Sequence, residues 1–232
     1  MQELPKGVIS EIIVKRITDS LISGELKPGD KIPTEAEFSE KLGIGRNSIR
    51  EAIKVLVAFG VLEIKRSDGT YVVDEFNQKL LDPILYGLIL ANKSIKDLLE
   101  FKITFLNSVL YLAVMKATDE DIRYLRECYE AFQSCMQERP GDVRTNYLIS
   151  ERFYRYLADM SRNPLVIQLN EIVLKISKYT RTKAIQVSMD TDKHEHLVSC
   201  YLKILELVES RDKRNISVVI DYVIEKWSEL LL

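Results

Sequence analysis

In the stretch GIGRNSIREAIKVLVAFG, Gly43 to Gly60, the residues Arg46, Asn47, Arg50 and Lys54 fall on one side of a helix. Ile49, Ala52, Ile53 and Leu56 recur at i, i+3, i+4 and i+7 and form the other, apolar side. An arginine presented this way can grip guanine O6 and N7 through two parallel hydrogen bonds, and cations satisfy phosphates. Between Lys41 and Arg66 there are six Lys or Arg against two Glu, a local charge of +4 in a chain whose net charge is -2. Nucleic-acid binding is therefore a property of this patch and not of the whole molecule.

A basic helix alone reads most plainly as a solvated face. The elements around this one change that reading. Ile9, Ile12, Ile13 and Ile17 form a helical stripe, and KPGDKIP is a turn cluster. Thr34 with Glu37 makes a capping box that starts a second helix. Gly43-Ile44-Gly45 breaks the chain before the basic helix, and Gly60 suits the left-handed position that ends it. In VLEIKRSDGTYVV two strand-forming runs flank Asp68-Gly69, a hairpin turn signal, with Lys65, Arg66 and Ser67 at the bend. Helix, tight turn, basic helix and basic hairpin are together the order of a winged helix-turn-helix, expected over residues 1–73.

DEFNQKLLD, residues 74–82, reads as a linker. Residues 83–232 read as an all-α bundle of six or seven helices. Asp82-Pro83 and Asn163-Pro164 are caps followed by proline at the first helical position, Ser94-x-x-Asp97 and Thr118-x-x-Asp121 resemble helix starts, and Pro140-Gly141 separates two helices. A bundle of this size has an interior that can hold a ligand.

The fold class expected is thus mainly α, with one small hairpin. The 46% hydrophobic content supports a sizeable core. Cys128, Cys135 and Cys200 have no metal-ligand spacing and are expected to be reduced thiols filling core space. There is no leader pattern at the N-terminus, and KLLDPILYGLILA, the most apolar run, is too short to span a bilayer, so a soluble cytoplasmic protein is expected. No phosphate loop, nucleophile motif or HExxH occurs; neither an enzyme nor a cofactor is expected.

GELKPGDKIPTEAEFSEKLGIGRNSIREAIKVLVAFGVLEIKRSDGTYV closely resembles the winged-helix domain of the GntR transcriptional regulators. LKPGDKIPTE, RNSIREAIKVL and GTYV carry the likeness. The helical half, with DLLEFK early and ADMSRNPL midway, resembles the FadR-like branch with its FCD-type ligand domain. The resemblance implies a homodimer on a near-palindromic double-stranded operator, under control of a small-molecule effector. It puts Arg46, Asn47, Arg50 and the wing bend near Arg66 and Ser67 at the DNA; Ser48 and Lys54 on the same helix and Lys65 at the bend are expected there beside them. Ala36 departs from the pattern, since relatives carry a DNA-reaching arginine there.

Many FCD-type domains hold a divalent metal through an Asp and several His. Here Ser150, Tyr154, Tyr201 and Val223 stand at or near those positions, and they do not make such a ligand set. The metal site reads as lost. The metal-free, acyl-binding members suggest Tyr154, Tyr201 and Tyr222, with Ser150, as a cavity lining, although packed core tyrosines explain them equally well. Lys102 stands where relatives carry an arginine that meets an acidic effector, yet a solvated helix residue is the plainer reading. His194 and His196, two apart on a helix, point in nearly opposite directions and are expected at the surface or a helix start; a gapped alignment leaves His196 a metal role. A helical bundle fused to a non-functional winged helix, and a regulator that no longer senses an effector, remain as alternatives.

Overall fold

The computed structural model describes residues 6–74, 86–87, 90, 94–138 and 142–232; the side chains of residues 6–8 are not among those described. The 75–82 part of the expected linker, the Asp82-Pro83 helix start and Pro140-Gly141 lie outside them. The chain divides into two compact units, Met1–Leu90 and Ala91–Leu232.

In the first unit, α1 (Lys6–Ser23), α2 (Glu35–Leu42) and α3 (Arg46–Ala58) precede a hairpin of β1 (Leu62–Lys65) and β2 (Gly69–Val72). Thr34 caps α2 in a complete box with Glu37, and Gly43 leaves the helix at φ 64°. The apolar stripe of α3 is buried as its periodicity requires: Ile49, Ala52, Ile53 and Leu56 are each at most 4% exposed. They pack with Ile13, Ile17, Ile32, Leu62 and Val72, and each large member is worth about 1.5–3 kcal/mol. Ile12 is a correction to the stripe of α1, since it lies 48% exposed.

Gly60 ends α3 at φ 77°. Its N–H donates to Val57 O at 3.0 Å and the next N–H, Val61, to Leu56 O at 2.8 Å. That double bond pattern satisfies carbonyls the helix end would otherwise leave open. In the hairpin Lys65 pairs with Gly69, so the loop is Arg66-Ser67-Asp68. The turn is therefore one residue earlier than Asp68-Gly69 suggests, and Ser67 takes the left-handed φ of 63°. Gly69 has a φ of 153°, a backbone conformation that L side chains rarely adopt, and a Cβ there would also push aside the end of the Lys31 side chain, whose Cε lies 2.5 Å away.

The second unit contains α4 (Ile95–Lys116), α5 (Asp119–Glu138), α6 (Val143–Asp159), α7 (Pro164–Asp190), α8 (His194–Ser210), a 3₁₀ turn (Lys213–Asn215) and α9 (Ile216–Leu231). Ser94 and Thr118 cap α4 and α5 through Asp97 and Asp121, and Asn163 caps α7 with proline at its first turn. Helix α4 corrects one expectation. By length and composition alone it is long and apolar enough to cross a membrane, but Leu99, Ile103, Leu106, Val109, Leu110, Ala113 and Val114 bury its inner face in the bundle core. Its outer face keeps Phe101, Tyr111 and Met115 at 41–56% exposure.

The core of this unit is aromatic at its centre. Tyr201 stacks on Phe132 with ring centroids 4.2 Å apart and meets Tyr154 edge-on at 5.4 Å. Trp227 and Arg181, each 1% exposed, are the largest fully buried side chains.

Candidate DNA-binding face and helical cavity

In the first unit the second helix of the helix-turn-helix presents Arg46, Asn47, Arg50 and Lys54 to solvent, and the wing tip presents Lys65, Arg66 and Ser67. Ser48 does not join them: it is 7% exposed and faces the core side of α3. Glu35 holds Arg50 by a bidentate pair, Nε to Oε1 at 3.0 Å and Nη2 to Oε2 at 2.6 Å. The wing is braced at its bend. Lys31 Nζ donates to Asp68 Oδ1 at 3.0 Å and the Tyr71 hydroxyl to Asp68 Oδ2 at 2.8 Å. Those two bonds hold the Asp68 carboxyl below its ordinary range, the Lys31 bond most. Lys65 is partly neutralised, since its Nζ lies 2.9 Å from Glu63 Oε1. Arg66 and Ser67 thus form the projecting edge. Sequence reasoning did not find Glu35, Lys31, Asp68 and Tyr71 in these supporting roles. The Arg50 partner is fifteen residues away, on another helix, and no local pattern announces it.

In the second unit Lys102, Tyr154, Asn170 and Arg181 meet at a small cavity walled by Phe105, Leu106, Val109, Val173 and Leu174. Its free volume is about 10 Å³, room for one water molecule. Lys102 is a correction: it is 4% exposed, not solvated. Its Nζ sits 3.0 Å from the centroid of the Trp227 ring and 5.4 Å from that of Tyr154. Arg181 Cζ lies 4.6 Å from the centroid of the same Tyr154 ring. Lys102 Nζ and Arg181 Nε and Nη1 have no hydrogen-bond partner, and the cavity lining includes no carboxylate. Burial, and next the Arg181 charge, push the Lys102 ammonium well below its ordinary range; Cys200 acts weakly in the other direction. Burial likewise keeps the neighbouring acids neutral. It raises Tyr154 well above the ordinary phenol range, and Tyr201 and Cys200 to about 12.

The other expected cavity residues divide. Ser150 is fully buried and hydrogen-bonded to the Tyr201 hydroxyl; neither is part of the cavity lining, and Tyr201 packs behind it through its edge-on ring contact with Tyr154. Tyr222 is corrected: its hydroxyl donates to Ser199 Oγ at 2.8 Å, away from the cavity lining. Arg181, Asn170 and Trp227 were not anticipated. The hydroxyls and cations gathered here do not fit a divalent metal, which needs ionised carboxylates or imidazoles. His194 lies 3.4 Å from Asp192 and His196 3.1 Å from Glu229, each with a separate carboxylate. Among the described residues no three His, Cys, Asp or Glu side chains converge on a common point.

Comparison with known proteins agrees with both halves. Residues 9–72 match the family described as bacterial regulatory proteins, gntR family, and residues 97–225 match the FCD domain. The HTH-type transcriptional regulator LutR of Bacillus subtilis (strain 168) is 30% identical over 189 residues, 75% of this chain and 82% of that protein. The Uxu operon regulator of Haemophilus influenzae is 28% identical over 146 residues, 62% of this chain and 51% of that one. A solved Streptococcus agalactiae GntR structure superposes with a TM-score of 0.56 at 20% identity, covering 94% of this chain and 97% of that chain, and so shares the fold. The chain belongs to the GntR family of bacterial regulatory proteins and carries an FCD domain as its second half: it is a DNA-binding transcriptional regulator, not an enzyme.

Proposed function

We propose that this regulator binds a near-palindromic operator as a homodimer, in the cytoplasm, and that a small carboxylate or acyl metabolite entering the helical cavity controls the binding. One observation carries the effector half of this reading: Lys102 and Arg181 are buried beside one cavity with no counter-charge in its lining. A buried cation in such a lining costs several kcal/mol; Glu151, outside the lining, offsets part of that cost for Arg181, and an anionic ligand offsets more of it. With about 10 Å³ free, the cavity accepts such a ligand only if helices part. Binding and conformational change are then one event, which is what a switch requires. The same small volume favours the second reading, a helical half that has become solid core and senses nothing.

The homodimer rests on α4. Phe101, Thr104, Ser108, Tyr111 and Met115 form an exposed stripe along it. The Thr104 and Ser108 hydroxyls donate to carbonyls one turn back, Glu100 O and Thr104 O. The stripe so offers mainly apolar surface, as a helix-to-helix interface does. The DNA half rests on the exposed α3 face and wing tip.

DNA from upstream of the regulator's own gene, titrated at increasing salt, tests the DNA reading. A sequence-preferring complex that weakens steeply with salt is expected. Thermal shift against acetate, hexanoate and an acyl-CoA tests the effector reading, because a bound ligand raises the melting temperature in proportion to ln(1+[L]/Kd). No shift with any of them at millimolar concentration favours the solid-core reading.

A further inference from the structure

Lys102 lies in surroundings that make its charge conditional. Four elements pack around it, and they bring Tyr154 from α6, Arg181 from α7, Cys200 from α8 and Trp227 from α9. Of these only the Arg181 guanidinium is charged, with a permanent, delocalised charge of the same sign. Tyr154 and Cys200 stay neutral acids because burial opposes their ionisation. The Trp227 ring face attracts an ammonium, but less strongly than the cost of stripping the ion of water. The seat therefore holds one lasting cation, Arg181, and an amine that carries a proton only at a cost.

An anion changes that balance. Placed between Arg181 and Lys102, a carboxylate is attracted by the first and stabilises the ammonium form of the second. We propose that effector capture is proton-coupled: the Lys102–Arg181 seat takes a monoanionic carboxylate head together with one proton, which resides on Lys102 Nζ. The proton balance closes in either order. A carboxylate plus a solvent proton gives an ammonium–carboxylate pair at Nζ; a neutral carboxylic acid that enters and passes its proton to the amine gives the same pair. The inference rests on the reading of the cavity as an effector site, and it adds what that reading lacks. The response to a given effector concentration depends on pH, and a neutral isostere such as an amide is rejected because it brings no charge to hold the proton. Trp227 reports on the event, since it is the chain's only tryptophan and Lys102 Nζ sits over its ring.

The full-length protein, titrated calorimetrically with acetate and with hexanoate in phosphate and in Tris, gives the number of protons taken up from the difference in heats. At about pH 8 we expect uptake approaching one proton per site, and affinity falling up to about tenfold per unit as pH rises through the linked range. Trp227 fluorescence should show a pH transition that moves upward when acetate is added. In Lys102→Met both the uptake and the fluorescence transition should vanish. Carboxylate binding without proton uptake in the wild type, or equal uptake in Lys102→Met, overturns the proton coupling and leaves the effector reading standing. Absence of binding by either carboxylate in the wild type overturns both.

Discussion

The Glu35 carboxylate grips the Arg50 guanidinium along its Nε–Nη2 side, with bonds of 3.0 and 2.6 Å between two helices of the helix-turn-helix. A guanidinium has five N–H donors, and this pairing uses two of them. The end of the fork, Nη1 with the remaining Nη2 hydrogen, stays available for a second partner. Glu35 therefore aims Arg50 without consuming the edge that a guanine O6 and N7 would engage. It also holds in one place a side chain that would otherwise lose rotamer freedom on reaching DNA.

From this geometry Arg50→Ala should weaken operator binding roughly tenfold to a hundredfold and relax selection at one base position. Glu35→Gln should produce a smaller loss at the same position, because the fork is freed but not removed. Fluorescence anisotropy on the operator and on single-base variants measures both. Equal loss on every sequence for Arg50→Ala would make it a phosphate contact instead.

Lys54 and Arg66 lie exposed on α3 and at the wing tip. Replacing either by alanine should weaken all sequences alike and reduce the slope of log affinity against log salt by about 1. Lys65 should matter less, since Glu63 already neutralises it at 2.9 Å. A slope that does not change with Arg66→Ala would take the wing away from the DNA.

The winged half was legible because its signals are local. The Thr34–Glu37 box, the apolar stripe of α3 and the Gly60 stop each work within a few residues and were read as they stand. The hairpin was read too, although the loop closes at Ser67 because Lys65 pairs with Gly69. The cavity was less legible. Arg181 lies among Lys175, Lys178 and Lys183, which suggests a solvated face. A stripe of Ser177, Thr180, Ala184, Ile185 and Ser188 turns it inward, and a small-residue stripe that brackets an arginine was the overlooked signal. Lys102 had a plainer one. It stands three residues after Leu99 and four before Leu106, on the buried stripe of α4. Which cations meet across the bundle depends on helix packing, and no spacing within one helix encodes that.

Lys102 carries a stability consequence of its own. Its folded titration point lies below the unfolded value, so the unfolded chain binds more protons wherever the two differ. Stability then rises with pH from the folded titration point up to the ordinary lysine range. Lys102→Met removes the buried amine, with the cost of stripping its proton on folding, and keeps most of the volume. At neutral pH it should match or exceed the wild type, by up to about 4 kcal/mol. That advantage should shrink as pH rises toward 10.5, the unfolded value. Urea unfolding at several pH values measures it, and a wild type that loses stability steadily over that range would contradict the assignment.

Asp121 behaves in the opposite sense. Burial raises its pKa, but the Thr118 backbone N–H, the Arg162 guanidinium and the Thr118 and Tyr156 hydroxyls outweigh burial and bring it to about 2. A depressed carboxylate contributes stability that is complete above the unfolded value, 3.8, and is lost as pH falls through the folded one. Asp121→Asn should lower the melting temperature at pH 7 and flatten the acid limb between about pH 4 and 2. An unchanged acid limb would mean that other carboxylates govern it.

The α4 stripe bears on how two recognition helices reach one operator. Successive major grooves lie about 34 Å apart along one face of the duplex, so a dimer must hold its two α3 helices at that separation. Phe101, Tyr111 and Met115 leave 41–56% of their surface exposed on a helix whose other face is core. A charge placed among them would have to be buried without a partner if the stripe is an interface, but would be solvated at little cost if it is not. Tyr111→Glu combined with Met115→Glu should therefore leave the helical content intact, shift the protein from dimer to monomer by light scattering, and reduce operator affinity far more than binding to a single half-site. A double variant that stays dimeric and binds the full operator normally would show that the dimer forms through another surface, and that the stripe on α4 serves something else.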